Sequence, residues 1–481
     1  MQWHQQCSNI HSARMRKSCV ICSPRYVSEK STLQLLCLTR EFTDSVRPVP
    51  SFFGLVMIPS PYSEQTLKQH FRVGDAGKWK LDIEKNIDSI AKAASARATL
   101  AAPNLLIHSR TDKSGKTIYF AGDIETDLIL RATYSRLMHQ FSLSLPNREE
   151  IVSGIVEATS EGSPYLVTKC DIRAFYESLN AEPIVNSILA NTRTSSDLKQ
   201  VLKSVYGAAH VPKSVAPRGL AISTVLAELT LKDFDNYVRK IPGVHRYFRY
   251  ADDMIIFSLP GTSVIMLLEE KLKALGLELN DKTETREIRT NPNQTSRATP
   301  DVTAYTYLGY EFSPEEKVAT YKTREFRVSI ASAKLEKRTS RVFLALYAFL
   351  RDGDGVLLCD RLNYISTNRS VYKTKHTRGS KKQKIKTGIH YNYSRCGHYP
   401  SMKKGRVHMA HEASELIKID VIMKTALFSK QSEFYSAISA LPTAVQTQLN
   451  AISFAQGYRK RLMKRFTRER VGKICKAWGY E

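Results

Sequence analysis

The stretch FRYADDMIIF, residues 248–257, constrains the fold most, because it sets two adjacent aspartates inside an apolar and aromatic run. A strand interior disfavours Asp, and neighbouring like charges repel, so the pair needs both a break in the strand and a compensating partner. A turn at Ala251 and Asp252, between strands Arg246 to Tyr250 and Met254 to Ser258, supplies the break and puts the acids at a hairpin tip. A metal ion would supply the partner. The pattern taken alone suits a plain hairpin tip as well as a metal site.

Asp171 adds weight to the metal. YLVTKCDI (165–172) reads as a buried strand ending at this third acid. Transfer of a nucleotide to a 3′-hydroxyl needs two divalent ions about 3.5 to 4 Å apart, bridged by shared carboxylates, and carboxylates at adjacent strand ends can do that. Magnesium is the expected ion, because hard oxygen ligands, retained waters and substrate phosphates suit it, with Mn2+ as a substitute.

Around these acids the periodicity alternates strand and helix. LLIHSRTDKSGKTIYFAGD reads as a hairpin with DKSGK at its tip, and AEPIVNSIL as a helix with Ile184 and Ile188 one turn apart. ISTVLAELTL puts Ile222, Val225, Leu226 and Leu229 on one helical face, and SVIMLLEEKLKAL is an amphipathic helix ended by Gly276. LELN is then expected as a strand, and YTYLGYEF (305–312) as a strand or tight hairpin. The fold class is α+β, with a small domain over 166–315. Beyond 316 the chain is expected to be mostly helical and basic, with Lys334, Arg338 and Arg341 on one helical face, either a solvated stripe or a nucleic-acid contact, and Leu335, Val342 and Leu346 on another.

Charge names the partner class. Lys plus Arg total 72 against 46 Asp plus Glu, a net +26, which points to a polyanion, nucleic acid first. No apolar run approaches the ~18 residues needed to span a bilayer, so no membrane partner is expected. Residues 369–395 carry nine Lys or Arg, no acid, and tyrosines at 372, 391 and 393. Lys381, Lys382, Lys384 and Lys386 can follow phosphates, and Tyr391 and Tyr393 can stack on bases, although a solvated basic loop has the same composition. The run YRKRLMKRFTRERVGK (458–473) shares that ambiguity. Eight irregularly spaced cysteines suggest no disulfide framework and a reducing cytoplasm, and Cys19 and Cys22 with Cys7, Cys37, His4 and His11 fall short of a regular zinc site. Residues 1–60 are expected to be an extension, flexible or upstream of the native start, since periodicity is weak before Met57.

Taken together these stretches resemble the reverse transcriptases. DIRAFYESLN (171–180) is similar to the first palm motif of that family, PRGLAISTVLAEL (217–229) to the second, FRYADDMIIF to the third, LGLELNDKTE (275–284) to the fourth and YTYLGYEF to the fifth. Within the family the chain looks most like retron-like bacterial enzymes of the abortive-infection and defence-associated lineage. The resemblance implies a right-hand polymerase, with fingers over 61–165, a palm over 166–315 and a thumb-like, basic nucleic-acid-binding region over 316–481. It implies an RNA-directed DNA polymerase whose partners are dNTPs, a dedicated non-coding RNA template and a DNA product, with a partner protein or homo-oligomer left open.

Residue by residue, the resemblance makes Asp171 and Asp252 the principal metal ligands, Asp253 their support and the Ile172 carbonyl part of the shell. Tyr176, beside Phe175, would close the space of a ribose 2′-hydroxyl. Gly219 would let the backbone approach the incoming base pair, Lys282 would protonate departing pyrophosphate, and Arg148 joins the nucleotide-binding candidates. One residue departs from the pattern: Arg218 stands where the family usually has Gln. A cationic fork there could hold a phosphate or base edge, which favours restricted templating or synthesis without a template. A template-independent or protein-primed deoxynucleotidyl transferase is therefore the alternative, and a non-catalytic RNA-binding scaffold with a polymerase fold the second. An RNA-copying RNA polymerase fits Tyr176 and the YADD form less well.

Overall fold

The computed structural model describes residues 60–72, 75–112, 114–208, 211–290, 303–316, 318, 323–373, 383–399, 402–403, 406–407 and 413–479. The cysteine and histidine group before residue 38, the 1–60 extension up to residue 59, and Lys381 and Lys382 lie outside the described residues.

Two hairpins and a central sheet organise the first half. Strands β1 (Ile107–Thr111) and β2 (Thr117–Ala121) pair antiparallel as the DKSGK turn signal predicts. The central sheet runs in the order β4 (Val244–Tyr250), β5 (Asp253–Ser258), β3 (Tyr165–Asp171), β6 (Glu284–Ile288), with every neighbour antiparallel. The apolar run of β5 follows from its central place, because successive side chains enter different cores. Met254 and Ile256 join the cluster that holds the Ile124–Gln140, Ala221–Lys240 and Val264–Lys273 helices. Ile255 and Phe257 join the opposite cluster, with the Arg148–Thr159 helix and the C-terminal helices.

The Ala221–Lys240 helix buries Ile222, Val225 and Leu226 as the pattern predicts, leaves Leu229 half-buried, and runs on to bury Leu231, Phe234 and Val238. Gly276, at φ 71°, turns the chain out of the Val264–Lys273 helix. The expected LELN strand shrinks to one bridge between Leu279 and Ile172. Its backbone is used instead to brace the turn after β3: Glu278 O accepts from Arg173 N–H (2.9 Å), and Asn280 N–H donates to Asp171 O (2.7 Å). The strand that pairs with β3 on the side away from β5 is β6, four residues later.

YTYLGYEF is a hairpin. Strands β7 (Tyr305–Tyr307) and β8 (Tyr310–Pro314) meet at Leu308 and Gly309, both at positive φ, the two-residue turn that matches strand twist. Strands β9 (Phe326–Ile330) and β12 (Gly397–Tyr399) extend this sheet in the order β12-β9-β8-β7. The region beyond 316 is therefore less purely helical than its sequence suggests. Its helices, including Ser332–Asp352 and Glu415–Phe428, interleave with β9, β12 and a hairpin of β10 (Asn368–Lys373) and β11 (Gln383–Gly388). No helix among the described residues is long and apolar enough to cross a membrane.

Candidate active site

The three aspartates converge at one end of the central sheet. Asp171 closes β3 and stands opposite Asp253, the first residue of β5, in the strand register. Asp252 sits between β4 and β5, preceded by Ala251 in a left-handed conformation (φ 57°). That conformation is disfavoured for a residue with a Cβ, so the surroundings must hold it. Arg249 does so: buried, it donates to the Ala251 carbonyl (3.0 Å), to both oxygens of Glu228 (3.1 and 2.8 Å) and to both of Asp235 (2.8 and 2.7 Å). Tyr307 O–H donates to the Asp253 carbonyl (2.8 Å), and Asn280 Nδ2 donates to Asp171 Oδ2 (3.0 Å).

This packing makes ionisation of the turn acids expensive. Burial pushes the Asp252 carboxyl up, and the Asp171 charge adds to the shift. Asp253 is raised by burial, then by Asp252 and Asp171, with Lys169 and Lys334 offsetting part of it. Among the described residues no group of three or more His, Cys, Asp or Glu side chains is arranged to hold a metal ion. The donor set still fits a hard divalent cation shared with substrate oxygens: all-oxygen ligands, half-buried, with two carboxylates lacking enough positive charge around them. Ile172, whose carbonyl is the fourth expected ligand, is buried and bridged to Leu279.

Beside the acids the motif residues separate into exposed and buried members. Tyr176 is half-buried, within electrostatic reach of Asp252, and its hydroxyl is raised by burial. Phe175 lies in the core, which leaves no room for the nucleotide contact expected of it, and its ring packs beside that of Tyr176 (centroids 5.2 Å apart). Arg218 is not a free fork. Its Nε and Nη2 donate to the two carboxylate oxygens of Glu177 (2.6 and 3.0 Å), and its guanidinium lies 5.4 Å from the Tyr176 ring centroid. Burial alone would raise Glu177, but the Arg218 bonds outweigh it and hold the carboxyl below its usual range. Gly219, at φ 99°, makes its close approach to the β1–β2 hairpin: a Cβ would stand 2.4 Å from the Tyr119 carbonyl. Tyr119 N–H in turn donates to the Arg218 carbonyl (2.7 Å).

The remaining candidates are dispersed. Lys282 is exposed on the loop before β6. Lys334 is exposed, runs along Gly309 and reaches Asp253 electrostatically. The other two members of its predicted basic stripe turn inward, because long cationic chains can spend their stems on aromatic rings. Arg338 donates to the Ile365 carbonyl (2.9 Å) and lies over Tyr393 (5.5 Å), while Arg341 lies over Trp478 (5.4 Å). Arg148 clamps the Leu308 (2.7 Å) and Asn392 (2.9 Å) carbonyls and covers Tyr310; none of these contacts is with the aspartates. Tyr393 is buried against Tyr310, which corrects its expected role as an open stacking platform. Tyr391 stays half-buried with Lys386 over its ring (5.4 Å), and Lys384 lies on β11.

Sequence reasoning passed over Glu177, Glu228, Asp235, Asn280 and Tyr307. Only Glu177 left a signal: an acid directly after Tyr176 is a natural counter-charge once Arg replaces a neutral amide at 218.

The candidate site is thus an antiparallel sheet with acids on a tight turn and on the facing strand end, flanked by a half-buried tyrosine. Residues 125–312 match the family model described as Reverse transcriptase (RNA-dependent DNA polymerase), which supports that family for this part of the chain and RNA-directed DNA polymerase as its general activity. No curated protein matches the chain.

Proposed function

We propose that this chain is a reverse transcriptase that joins dNTPs to a DNA 3′-end on an RNA template, with Asp171, Asp252 and Asp253 holding two Mg2+ ions. The observation that carries this reading is the register of β3 on β5, which sets Asp171 opposite Asp253 with Asp252 next to it. When bound, the ions would activate the attacking hydroxyl and neutralise the triphosphate. The chain's own part is to orient: Arg249 and Tyr307 hold the acid turn, Asn280 holds Asp171, Tyr176 limits the sugar, and Lys282 stands as proton donor to the leaving group. In this reading 61–165 are fingers, 166–315 palm and 316–481 a thumb-like region, with Lys334, Lys386 and Tyr391 facing RNA.

A dedicated non-coding template and a role in bacterial antiviral defence are supported by the FYES form of the first motif and by the long basic region joined to the palm. Untemplated transfer keeps the support that an Arg at 218 cannot reproduce a neutral amide's contacts, while its bonds to Glu177 leave the fork less free for a phosphate.

The test is primer extension on RNA with Asp252→Asn. Removing a ligand that bridges both ions should lower turnover at least about a thousandfold. Near wild-type incorporation by that variant would sink the assignment, and homopolymer made from one dNTP without RNA would shift the reading to untemplated transfer.

A further inference from the structure

The basic run at 458–473 is two different things in the structure. Its second half is charge-compensated: Arg470 pairs with Asp360 (2.6 Å) and Lys473 with Glu469 (2.9 Å). In its first half Lys460, Arg461, Lys464 and Arg465 are all exposed, and no Asp or Glu occurs in the sequence from 434 through 468. A solvated basic loop would look the same in sequence, but this segment is pinned.

The pinning begins where the Phe454–Arg459 helix stops. Arg461 N–H donates to the Tyr458 carbonyl (3.2 Å) and Leu462 N–H to the Gly457 carbonyl (3.2 Å). That pair of bonds is a helix stop whose left-handed position is usually glycine. Here it is Arg461, at φ 50°, a conformation disfavoured by its Cβ. Asn368 then grips the following residues: its N–H (2.8 Å) and side-chain amide (3.1 Å) donate to the Leu462 carbonyl, and its carbonyl accepts from Lys464 N–H (2.8 Å). Buried Tyr458 anchors one end through its hydroxyl on the Tyr393 carbonyl (2.9 Å), and Phe466 anchors the other on the Tyr364 ring (5.6 Å).

We propose that residues 460–465 form a docking edge for the phosphodiester backbone of a nucleic acid, in addition to the aspartate site. Ordering the backbone beforehand removes the entropy that a floppy basic loop would lose on binding. An exposed arginine at a left-handed position is a local strain that a glycine would relieve, and a role for its charge at a phosphate would account for it. A membrane surface is the other polyanion, but the pinned edge is extended and exposes its apolar Leu462 and Met463 only partly (40% and 44%), which suits a strand better than insertion into lipid.

The experiment uses the full chain without dNTPs, and three probes: a 30-nucleotide single-stranded RNA, DNA of the same sequence, and vesicles containing anionic lipid. Arg461→Gly removes the charge and relieves the backbone, so it should melt at the same or a higher temperature. It should bind the RNA or DNA several-fold more weakly, with a log K against log salt slope shallower by about 0.7. Adding Lys460→Ala, Lys464→Ala and Arg465→Ala should flatten the slope by about two to three. Parental affinity and slope in the fourfold variant would overturn the proposal. So would a loss confined to vesicles, or a lower melting temperature for Arg461→Gly, which would make the side chain structural. Binding is read without turnover, so failure of the polymerase reading and failure of this one are separable.

Discussion

Replacing Arg249 should separate folding from positioning at the acid turn. Its guanidinium makes five hydrogen bonds, four to the partly buried carboxylates of Glu228 and Asp235 and one to the Ala251 carbonyl. Arg249→Met leaves two partly buried carboxylates without their cation, which costs up to about 3 to 5 kcal/mol of stability. Arg249→Lys keeps the charge but offers one nitrogen, which cannot span both acids and the carbonyl, so the loss should be roughly 1.5 to 3 kcal/mol. In either variant the left-handed Ala251 loses its hold, and a displacement of Asp252 by about 1 Å should lower kcat on the order of a hundredfold. The KM for dNTP should move less than about twofold, since no substrate contact is removed. The informative variant is the triple change Arg249→Met, Glu228→Gln, Asp235→Asn, measured by thermal unfolding and by primer extension. Neutralising the acids should return most of the stability but not kcat, because the Ala251 carbonyl stays unheld. If kcat recovers together with stability, Arg249 is only a structural ion pair and the positioning role is refuted.

Asp252→Asn should raise the melting temperature at pH 7. The folded-state pKa of Asp252 lies above its unfolded value, so its unfavourable ionisation is absent below the ordinary carboxylate range and appears as pH rises through the folded pKa. The gain should vanish near pH 3, and Mg2+ should stabilise the parent but not the variant; a gain independent of pH refutes the charge argument. Tyr176→Ala should raise ribonucleotide use relative to deoxynucleotide use in competition assays, and an unchanged ratio would return Tyr176 to the core. Arg218→Gln should raise the dNTP KM by exposing Glu177, and the double variant with Glu177→Gln should recover about fivefold, a coupling of about 1 kcal/mol; additive effects would show that the pair does not act as a unit. Gly219→Ala should destabilise the chain by roughly 1 to 3 kcal/mol, because its Cβ would meet the Tyr119 carbonyl and its φ is left-handed; unchanged unfolding would refute that close approach.

Around the acids the sequence by itself determined where most strands, helices and turns fall, and that acids would gather at strand ends, because periodicity and turn chemistry are local; the LELN segment and the strands beyond 316 escaped it. β3, the 244–258 hairpin, the Ala221–Lys240 face and the 305–314 hairpin all follow from neighbours a few residues apart. Tertiary structure alone decided where the long polar side chains point. Arg249 finds Glu228 and Asp235 on the preceding helix, Arg218 finds Glu177 across 41 residues, and fully buried Arg324 spends its guanidinium on carbonyls of Glu161, Ser163, Arg289 and Glu315. None of these pairings leaves a period in the chain. A guanidinium on a flexible stem satisfies its donors with whatever oxygen the packed fold brings within reach, and that is why Arg338 and Tyr393, which read as an RNA surface, instead face each other inside the protein.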